Sequence, residues 1–237
     1  MTYKGIVFDK DGTLIDFNST WLPVYHYAAL EFANNDQQLA DELLGCHGFD
    51  HNSGRFTGGS LLAAGNNHQI AIAWSAQLSN SDDDEKLQAM STRLNQIFQQ
   101  QGALHATPVD NLQSTLRTLK QAGIKLGVAT IDSYQGIHNT LQSFDVLSEF
   151  EFLCGYDSGH GTKPEPGMVL AFCEATSLAP SEVIVVGDNS HDMEMGKSAA
   201  AGLCVGVLTG TSTRVELEAL ADEVFEDIGG LITLFDG

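Results

Sequence analysis

Short apolar runs alternate along the chain with segments of helical periodicity. The run Val183-Ile184-Val185-Val186 lacks polar alternation, which is typical of a strand buried on both faces of a parallel sheet. Similar branched runs end in glycine or polar residues, which favours strands followed by loops. The pattern predicts strands over residues 3–8, 124–130, 151–154, 182–187 and 203–207, with a weaker one near Val224.

The segments between these runs carry apolar residues three or four positions apart, which predicts helices. In one segment, leucines from Leu112 to Leu119 form a stripe, and Thr107 and Pro108 suit the N-cap and first helical position. Gly123 suits the end of the same helix. Strand and helix in alternation predict an α/β fold with a Rossmann-like, doubly wound parallel sheet.

A long stretch after the first predicted strand shows helical patterns and no convincing strand. It covers residues 16–104, far more than an ordinary loop, so we expect an inserted α-helical domain there. The remaining residues, 1–15 and 105–237, would form the α/β core domain. Within the insertion the pattern predicts helices over residues 21–32, 37–44 and 69–78, a further helix from 81–84 to 98, and irregular structure over the glycine-rich residues 45–65.

Charge and composition narrow the classes of partner. The 237 residues include 31 acidic and 11 basic side chains, giving a formal net charge of −20, which disfavours binding to nucleic acid or anionic membrane. The N-terminus lacks the apolar core of a secretory signal, and no apolar run approaches the roughly 20 residues of a spanning helix. The 4 cysteines form no Cys-x-x-Cys pair, which fits reduced thiols. We therefore expect a cytoplasmic protein, either a monomer or a homodimer.

Two acids follow the first predicted strand, in the sequence Asp9-Lys10-Asp11-Gly12-Thr13. Ligands of open parallel sheets bind at the carboxyl ends of the strands, so both carboxylates should face a site while strand alternation turns Lys10 away. Two such acids can divide the duties of nucleophile and proton donor. A polar turn is the ordinary alternative for this sequence.

Matching groups stand at other predicted strand ends. Thr130 closes the second core strand, where a hydroxyl and the following N–H groups suit an anion. Lys163 lies in a loop before a proline-started helix. Asp188 and Asp192 follow the most apolar strand, where carboxylate oxygens suit a hard cation. Taken singly, each residue also fits an ordinary structural role, as a strand terminus, a solvated lysine or a helix cap.

Taken together, these segments resemble the four motifs of the haloacid dehalogenase superfamily of phosphohydrolases. The resemblance rests on Asp9-x-Asp11-Gly-Thr, then Thr130, Lys163 and Gly-Asp188-x-x-x-Asp, in this order and each in the expected strand context. The helical insertion after the first motif is similar to the α-helical, C1-type cap of the phosphoglycolate phosphatase and β-phosphoglucomutase members.

The resemblance implies a magnesium-dependent phosphatase of small phosphorylated metabolites, of the phosphoglycolate type, acting through an aspartyl-phosphate. Asp9 would be the nucleophile and Asp11 the acid and base, and Mg²⁺ would bind Asp9, the Asp11 carbonyl and Asp188. The phosphate would be bound by Gly12, Thr130, Ile131 and Lys163, and of these Thr130 and Lys163 would also be catalytic. The supporting residues would be Thr13, Asn189 and Asp192. Thr13 would steady Asp9, and Asp192 would orient Lys163 or a metal-bound water.

Two positions depart from the motifs of that superfamily. Lys10 occupies a place that is commonly apolar, and we expect a structural partner for it. In that superfamily an asparagine frequently follows the hydroxyl residue directly, whereas here Thr130 is followed by Ile131 and then Asp132. This difference affects contacts to the leaving group more than the chemistry. In the insertion, His47, His51 and Arg55 are the candidate specificity residues, since an arginine can bind a carboxylate or second phosphate through two hydrogen bonds.

Other functions share parts of this pattern. Asp11 argues against a dehalogenase, which needs no proton donor for its leaving group, and a single lysine in the insertion, Lys86, argues against Schiff-base phosphonate cleavage. A sugar-phosphate mutase of the β-phosphoglucomutase type has both acids and the cap. A catalytically silent relative that binds a phosphorylated ligand is the alternative outside enzymes. The intact set of motif residues favours the phosphatase.

Overall fold

The computed structural model describes residues 3–78 and 84–235, along which strands and helices alternate. Contacts divide the chain into two compact units, one of residues 1–17 and 107–237 and the other of residues 18–106. The strands are β1 (Gly5–Phe8), β2 (Phe49–Asp50), β3 (Arg55–Phe56), β4 (Lys125–Ala129), β5 (Phe152–Cys154), β6 (Val183–Gly187), β7 (Leu203–Val207) and β8 (Glu223–Phe225). The α-helices are α1 (Phe17–Phe32), α2 (Gln37–His47), α3 (Leu61–Ala64), α4 (Asn67–Gln77), α5 (Asp84–His105), α6 (Leu112–Gln121), α7 (Tyr134–Ser143), α8 (Gly167–Thr176), α9 (Ser190–Ser198) and α10 (Arg214–Glu218).

A parallel, six-stranded sheet in the order β5-β4-β1-β6-β7-β8 forms the centre of the first unit. Every residue of β6 is buried. Ile184 and Val186 pack into one apolar cluster with residues of α6 and α7, whereas Val183 and Val185 pack into another with residues of α8 and α9. The predicted strands and the doubly wound α/β fold are confirmed.

The order of the strands determines where ligands can bind. From β1 the chain passes to β4 and β5 on one side of β1, and then crosses to β6, β7 and β8 on the other side. Crevices at such reversals, beyond the carboxyl ends of the strands, are the binding sites of open α/β sheets. Asp9, Thr130 and Asp188 directly follow β1, β4 and β6, so adjacent strands present all three at one edge.

The start of α6 differs from the sequence prediction. The helix begins at Leu112, because residues 107–109 run extended beside the end of the first motif. Ile15 forms an antiparallel bridge with Pro108, and backbone hydrogen bonds join Asp16 to Thr107 and Val109 to Leu14. The predicted end is confirmed, since Gly123 follows the helix with a φ of 81°. α8 begins at Gly167, so Lys163 lies in the preceding loop as predicted.

The second unit contains helices α1 to α5 and one small antiparallel hairpin. In this hairpin, Phe49 pairs with Phe56 and Asp50 with Arg55, so the prediction of purely irregular structure over residues 45–65 is wrong. The Phe49 and Phe56 rings are buried against one another, with centroids 5.2 Å apart, and this contact stabilises the turn. The predicted helix start at 81–83 falls outside the described residues, and α5 is described from Asp84 onwards.

Three of the cysteines, Cys154, Cys173 and Cys204, are buried, as their apolar neighbours in the sequence suggest, and Cys46 is exposed. All four thiols are free. Across residues 3–78 and 84–235, no helix is both long and apolar enough to cross a membrane.

Candidate active site

A buried lysine joins two carboxylates at the carboxyl edge of the sheet. Lys163 Nζ lies 2.5 Å from Asp9 Oδ1 and 2.5 Å from Asp192 Oδ1. All three side chains are almost completely buried. Asp9 follows β1, Lys163 comes from the loop before α8, and Asp192 lies in the first turn of α9. The fold thus brings together three groups that the sequence keeps far apart.

Asp188 adds a third buried carboxylate, directly after β6. Its Oδ2 accepts hydrogen bonds from the backbone N–H of Thr211 at 2.9 Å and from the Thr211 hydroxyl at 3.4 Å. Carboxylate oxygens of Asp9, Asp188 and Asp192 all lie within 4.8 Å of one another. Hard divalent cations prefer such oxygen ligands, so this group of acids could bind a metal ion.

Burial dominates the proton equilibria of these acids. Burial raises the pKa of Asp9 to about 6, although the positive charge of Lys163 acts to lower it. Burial, together with the charges of Asp192 and Asp9, also raises the pKa of Asp188 well above its usual range. Burial acts in the opposite sense on Lys163, but Asp192 and Asp9 outweigh it, so that the pKa of Lys163 lies above its usual range. The negative charge of the three carboxylates therefore exceeds the positive charge of Lys163, as a cation-binding site requires.

A loop directly after β7, Thr209-Gly210-Thr211, supports Asp188 and was not predicted from the sequence. The Thr209 hydroxyl donates to the Gly12 carbonyl at 2.7 Å, while Thr211 donates to Asp188. A Cβ on Gly210 would lie 1.8 Å from Asp188 Oδ2, so only glycine leaves room for this carboxylate. The available sequence signal is a Thr-Gly-Thr triplet at the end of an apolar strand of the same sheet.

We expect Gly210→Ala to weaken divalent cation binding about 10- to 100-fold, the usual cost of disturbing a group that supports a metal ligand. Gly210 does not need a positive φ, so alanine fits its backbone, and the effect comes from displacing Asp188. Titrating activity against Mg²⁺ measures the change. Thr211→Val is the control, since it keeps the shorter backbone hydrogen bond and should shift the titration much less. An unchanged Mg²⁺ dependence in Gly210→Ala would contradict this support.

The predicted phosphate-binding groups lie at the same edge. Thr130 is buried at the end of β4, and its Oγ1 accepts a hydrogen bond from the backbone N–H of Asp132 at 3.2 Å. Ile131 is half exposed beside it. The Gly12 N–H donates to the Ile15 carbonyl at 2.8 Å, so it stabilises the turn, and binding of phosphate by Gly12 stays a prediction.

Asn189 and Asp192 both contact other residues of the site, and their supporting role stays a prediction. Asn189 caps α9, and its side-chain amide donates to Asp188 Oδ1 at 3.3 Å. Asp192 accepts from Lys163 and from the Asn189 backbone N–H. The Thr13 hydroxyl is buried without a hydrogen-bond partner among the described residues, so it does not hold Asp9 through a hydrogen bond.

Lys10 does not turn away from the site, contrary to the alternation argument. Its ammonium lies 2.8 Å from the Asp11 carboxylate and 3.1 Å from Asp132 Oδ2, with the Lys10 side chain only 1% exposed. β1 ends at Phe8, so the alternation of the strand no longer fixes the direction of residue 10. Burial raises the pKa of Asp11, as do the charges of Asp132 and Asp9, against the opposing effect of Lys10.

The candidate specificity residues all belong to the second unit, residues 18–106. His47 Nδ1 contacts the Leu43 carbonyl at 2.7 Å, and His51 Nε2 contacts the Asp41 carbonyl at 2.9 Å. Arg55 is exposed on β3. Their contribution to substrate choice stays a prediction.

Known proteins resemble this chain over most of its length. A family model described as "Haloacid dehalogenase-like hydrolase" matches residues 6–205. The chain is 28% identical to a phosphoglycolate phosphatase of Pasteurella multocida, covering 99% of each chain. It is 24% identical to the pyrophosphatase PpaX of Oceanobacillus iheyensis, covering 99% of this chain and 97% of that one.

Solved structures share the fold. One from Haemophilus somnus, described as a "predicted phosphoglycolate phosphatase", has a TM-score of 0.78 at 20% identity and covers 99% of this chain and 98% of its own. A subfamily IA hydrolase of the same superfamily from Geobacter sulfurreducens has a TM-score of 0.68 at 18% identity, covering 99% and 97%.

Proposed function

Since this chain belongs to the haloacid dehalogenase-like hydrolase family, we propose that it is a magnesium-dependent phosphatase of small phosphorylated metabolites, with phosphoglycolate as the type of substrate. The observation that carries the proposal is the buried cluster of Asp9, Lys163, Asp188 and Asp192 where the strand order reverses. Relatives named as a phosphatase and a pyrophosphatase support phosphate transfer to water as the reaction.

The reaction proceeds in two displacements at phosphorus. An Asp9 oxygen attacks the phosphorus atom, and the bond from phosphorus to the leaving oxygen breaks as Asp11 gives that oxygen a proton. Water then attacks the aspartyl-phosphate and gives a proton to Asp11, which releases inorganic phosphate and restores Asp9. The Lys163 ammonium and the Thr130 hydroxyl stabilise the negative charge on the transferring oxygens.

The donor set fits Mg²⁺, which is the metal we propose. Asp9, Asp188 and the Asp11 backbone carbonyl would hold the cation, while Asp192 stays paired with Lys163. These residues offer only oxygen atoms as ligands. Burial, together with the charges of neighbouring acids, raises the pKa values of Asp9 and Asp188, and a bound cation would stabilise their charged forms. When bound, the cation supplies positive charge that lets a phosphate dianion approach carboxylates that would otherwise repel it.

We assign residues 16–104 to a cap domain and residues 1–15 with 105–237 to the catalytic core. His47, His51 and Arg55 would select the substrate by binding the part that is not transferred. The net charge of −20 and the free thiols support a cytoplasmic enzyme whose partners are small molecules rather than nucleic acid or membrane.

We expect Arg55→Ala to raise KM for phosphoglycolate roughly 10- to 100-fold, the value of one charge-assisted hydrogen bond to a carboxylate. The turnover of 4-nitrophenyl phosphate, which has no carboxylate, should be unaffected. Steady-state kinetics with both substrates make the comparison, with Arg55→Lys as the control that keeps the charge and loses the bidentate geometry. An equal change for the two substrates would contradict carboxylate recognition.

Phosphate release from 4-nitrophenyl phosphate tests the proposal as a whole. Protein treated with a chelator should be inactive and recover on addition of Mg²⁺, and a panel of phosphorylated acids, sugars and nucleotides should then rank the substrates. Conversion of one hexose phosphate isomer to another, without release of phosphate, would establish the mutase instead. Binding of phosphorylated ligands with no reaction at any metal concentration would favour the catalytically silent relative.

A further inference from the structure

We propose that Lys10 and Asp132 form a charge pair that positions the Asp11 carboxyl group for proton transfer. This inference rests on the proposed function, in which Asp11 protonates the leaving oxygen. Lys10 and Asp132 are positioning residues, because they act through Asp11 and not on the substrate. Lys10 is also one of the two places where the sequence departs from the motifs that it otherwise follows, and Asp132 directly follows the other, Ile131.

The Lys10 ammonium lies between two carboxylates. Lys10 Nζ is 2.8 Å from Oδ1 and 2.8 Å from Oδ2 of Asp11, and 3.1 Å from Asp132 Oδ2. The Lys10 side chain is almost completely buried, that of Asp11 is 15% exposed and that of Asp132 is 32% exposed. One ammonium therefore joins the loop after β1 to the loop after β4, and these strands are neighbours in the sheet.

Asp132 is itself held in place by its neighbours. Asp132 Oδ1 accepts a hydrogen bond from the Ser133 N–H at 2.7 Å, and the Asp132 carbonyl accepts one from the Tyr156 N–H at 3.0 Å. A Cβ at position 136 would lie 2.2 Å from Asp132 Oδ2, so Gly136 leaves the space that this carboxylate occupies. Asp132 thus serves as a fixed anchor, and Lys10 transmits that position to Asp11.

The charges of Lys10, Asp11 and Asp132 compensate one another. A buried ammonium needs its partners, so replacing either partner alone leaves a charge in the site without sufficient compensation. Asp132→Asn removes the contact of the Lys10 ammonium with the loop after β4, which lets the ammonium and the Asp11 carboxyl group shift together. Lys10→Met leaves Asp11 and Asp132 facing one another with no cation between them. Replacing both removes one charge of each sign and restores the balance.

The consequence for catalysis depends on the leaving group. A proton donor must be aimed at the departing oxygen, and a misplacement of about 1 Å can cost a factor on the order of 100 in rate. Proton transfer matters for a basic alkoxide such as that of glycolate, whereas 4-nitrophenolate is a weak base that leaves without a proton. Loss of positioning should therefore slow the first substrate far more than the second.

The test compares Lys10→Met, Asp132→Asn and the double variant with the wild type, using phosphoglycolate and 4-nitrophenyl phosphate. Each single variant should lower kcat for phosphoglycolate roughly 10- to 100-fold, with a much smaller fall for 4-nitrophenyl phosphate. The double variant should be about as slow as a single variant and not slower by the product of the two losses, since substitutions of residues that act as a pair are not additive. Lys10→Arg keeps the charge and should retain more activity than Lys10→Met.

Equal losses for both substrates, or a double variant that is worse than either single variant, would overturn the pair. Asp11→Asn separates this failure from failure of the proposed function, because it should show the same dependence on the leaving group if Asp11 is the proton donor. If the wild type releases no phosphate, the proposed function fails. Urea unfolding of the wild type, Lys10→Met, Asp132→Asn and the double variant then still tests the pair. If the two charges are paired, the double variant should be no less stable than either single variant. Additive losses of stability would contradict the pairing.

Discussion

Asp9→Asn is expected to abolish phosphate release, with kcat reduced by at least about 10⁴-fold, as removal of a covalent nucleophile usually requires. An asparagine has the same shape and still accepts a hydrogen bond from Lys163, but its amide oxygen cannot form the aspartyl-phosphate. The measurement is phosphate release at saturating Mg²⁺. Trapping of phosphate on the protein, detected by mass after a rapid quench, should be seen in the wild type and lost in the variant.

Unfolding experiments provide the control for this variant. The pKa of Asp9 is about 6 in the folded protein and 3.8 for an ordinary aspartate, so the folded state binds the extra proton. Wild-type stability attributable to Asp9 is therefore complete below about pH 4 and falls as the pH rises through about 6. Metal-free Asp9→Asn lacks this titration and should be no less stable than the wild type at pH 7.5. A marked loss of stability would show that inactivity came from misfolding.

Lys163→Met is expected to lower the free energy of unfolding by about 3–5 kcal/mol at pH 7.5, the usual cost of removing one member of a buried ion pair. The substitution leaves Asp9 and Asp192 close together without a cation. Because Lys163 acts to lower the pKa of Asp9, its loss raises that pKa further, and a raised carboxylate pKa costs stability as the pH rises. The destabilisation should thus be larger at pH 7.5 than at pH 5.

Urea unfolding of metal-free protein at both pH values measures this effect. Lys4→Met is the control, because Lys4 pairs with Glu182 at 2.6 Å on the surface, where ion pairs contribute little to stability. Similar losses in the two variants would mean that the buried cluster contributes no more than a surface pair.

The sequence predicted the sheet well because its signal is local. The fully apolar run of β6 reports burial on both faces, and the polar residues after β1, β4 and β6 report the carboxyl edge. The predicted start of α6 was wrong because a distant contact determines it. Thr107 and Pro108 have the local chemistry of a helix start, but the bridge to Ile15 holds them extended, and no local pattern records that contact.

The site was predicted only as far as its motifs extend. Thr209 contacts Gly12 across a separation of 197 residues, which no spacing rule could supply. The position of Lys10 was missed because a rule for strands was applied to a residue beyond the strand, where a long side chain follows its charge partners.

In the sequence, the insertion separates β1 from the other strands of the six-stranded sheet, and this affects how the sheet forms during synthesis of the protein. β1 pairs with β4 and β6, so Gly5 cannot form both of its strand pairings until Lys125 and Val183 have been synthesised. Pairing over such long separations is slow to form. On the ribosome, Asp9 is synthesised before Lys163, Asp188 and Asp192, and it stays an ordinary solvated acid until they are in place. A nascent chain that stops before β6 lacks Asp188 and Asp192, so hydrolytic activity requires synthesis to continue past β6.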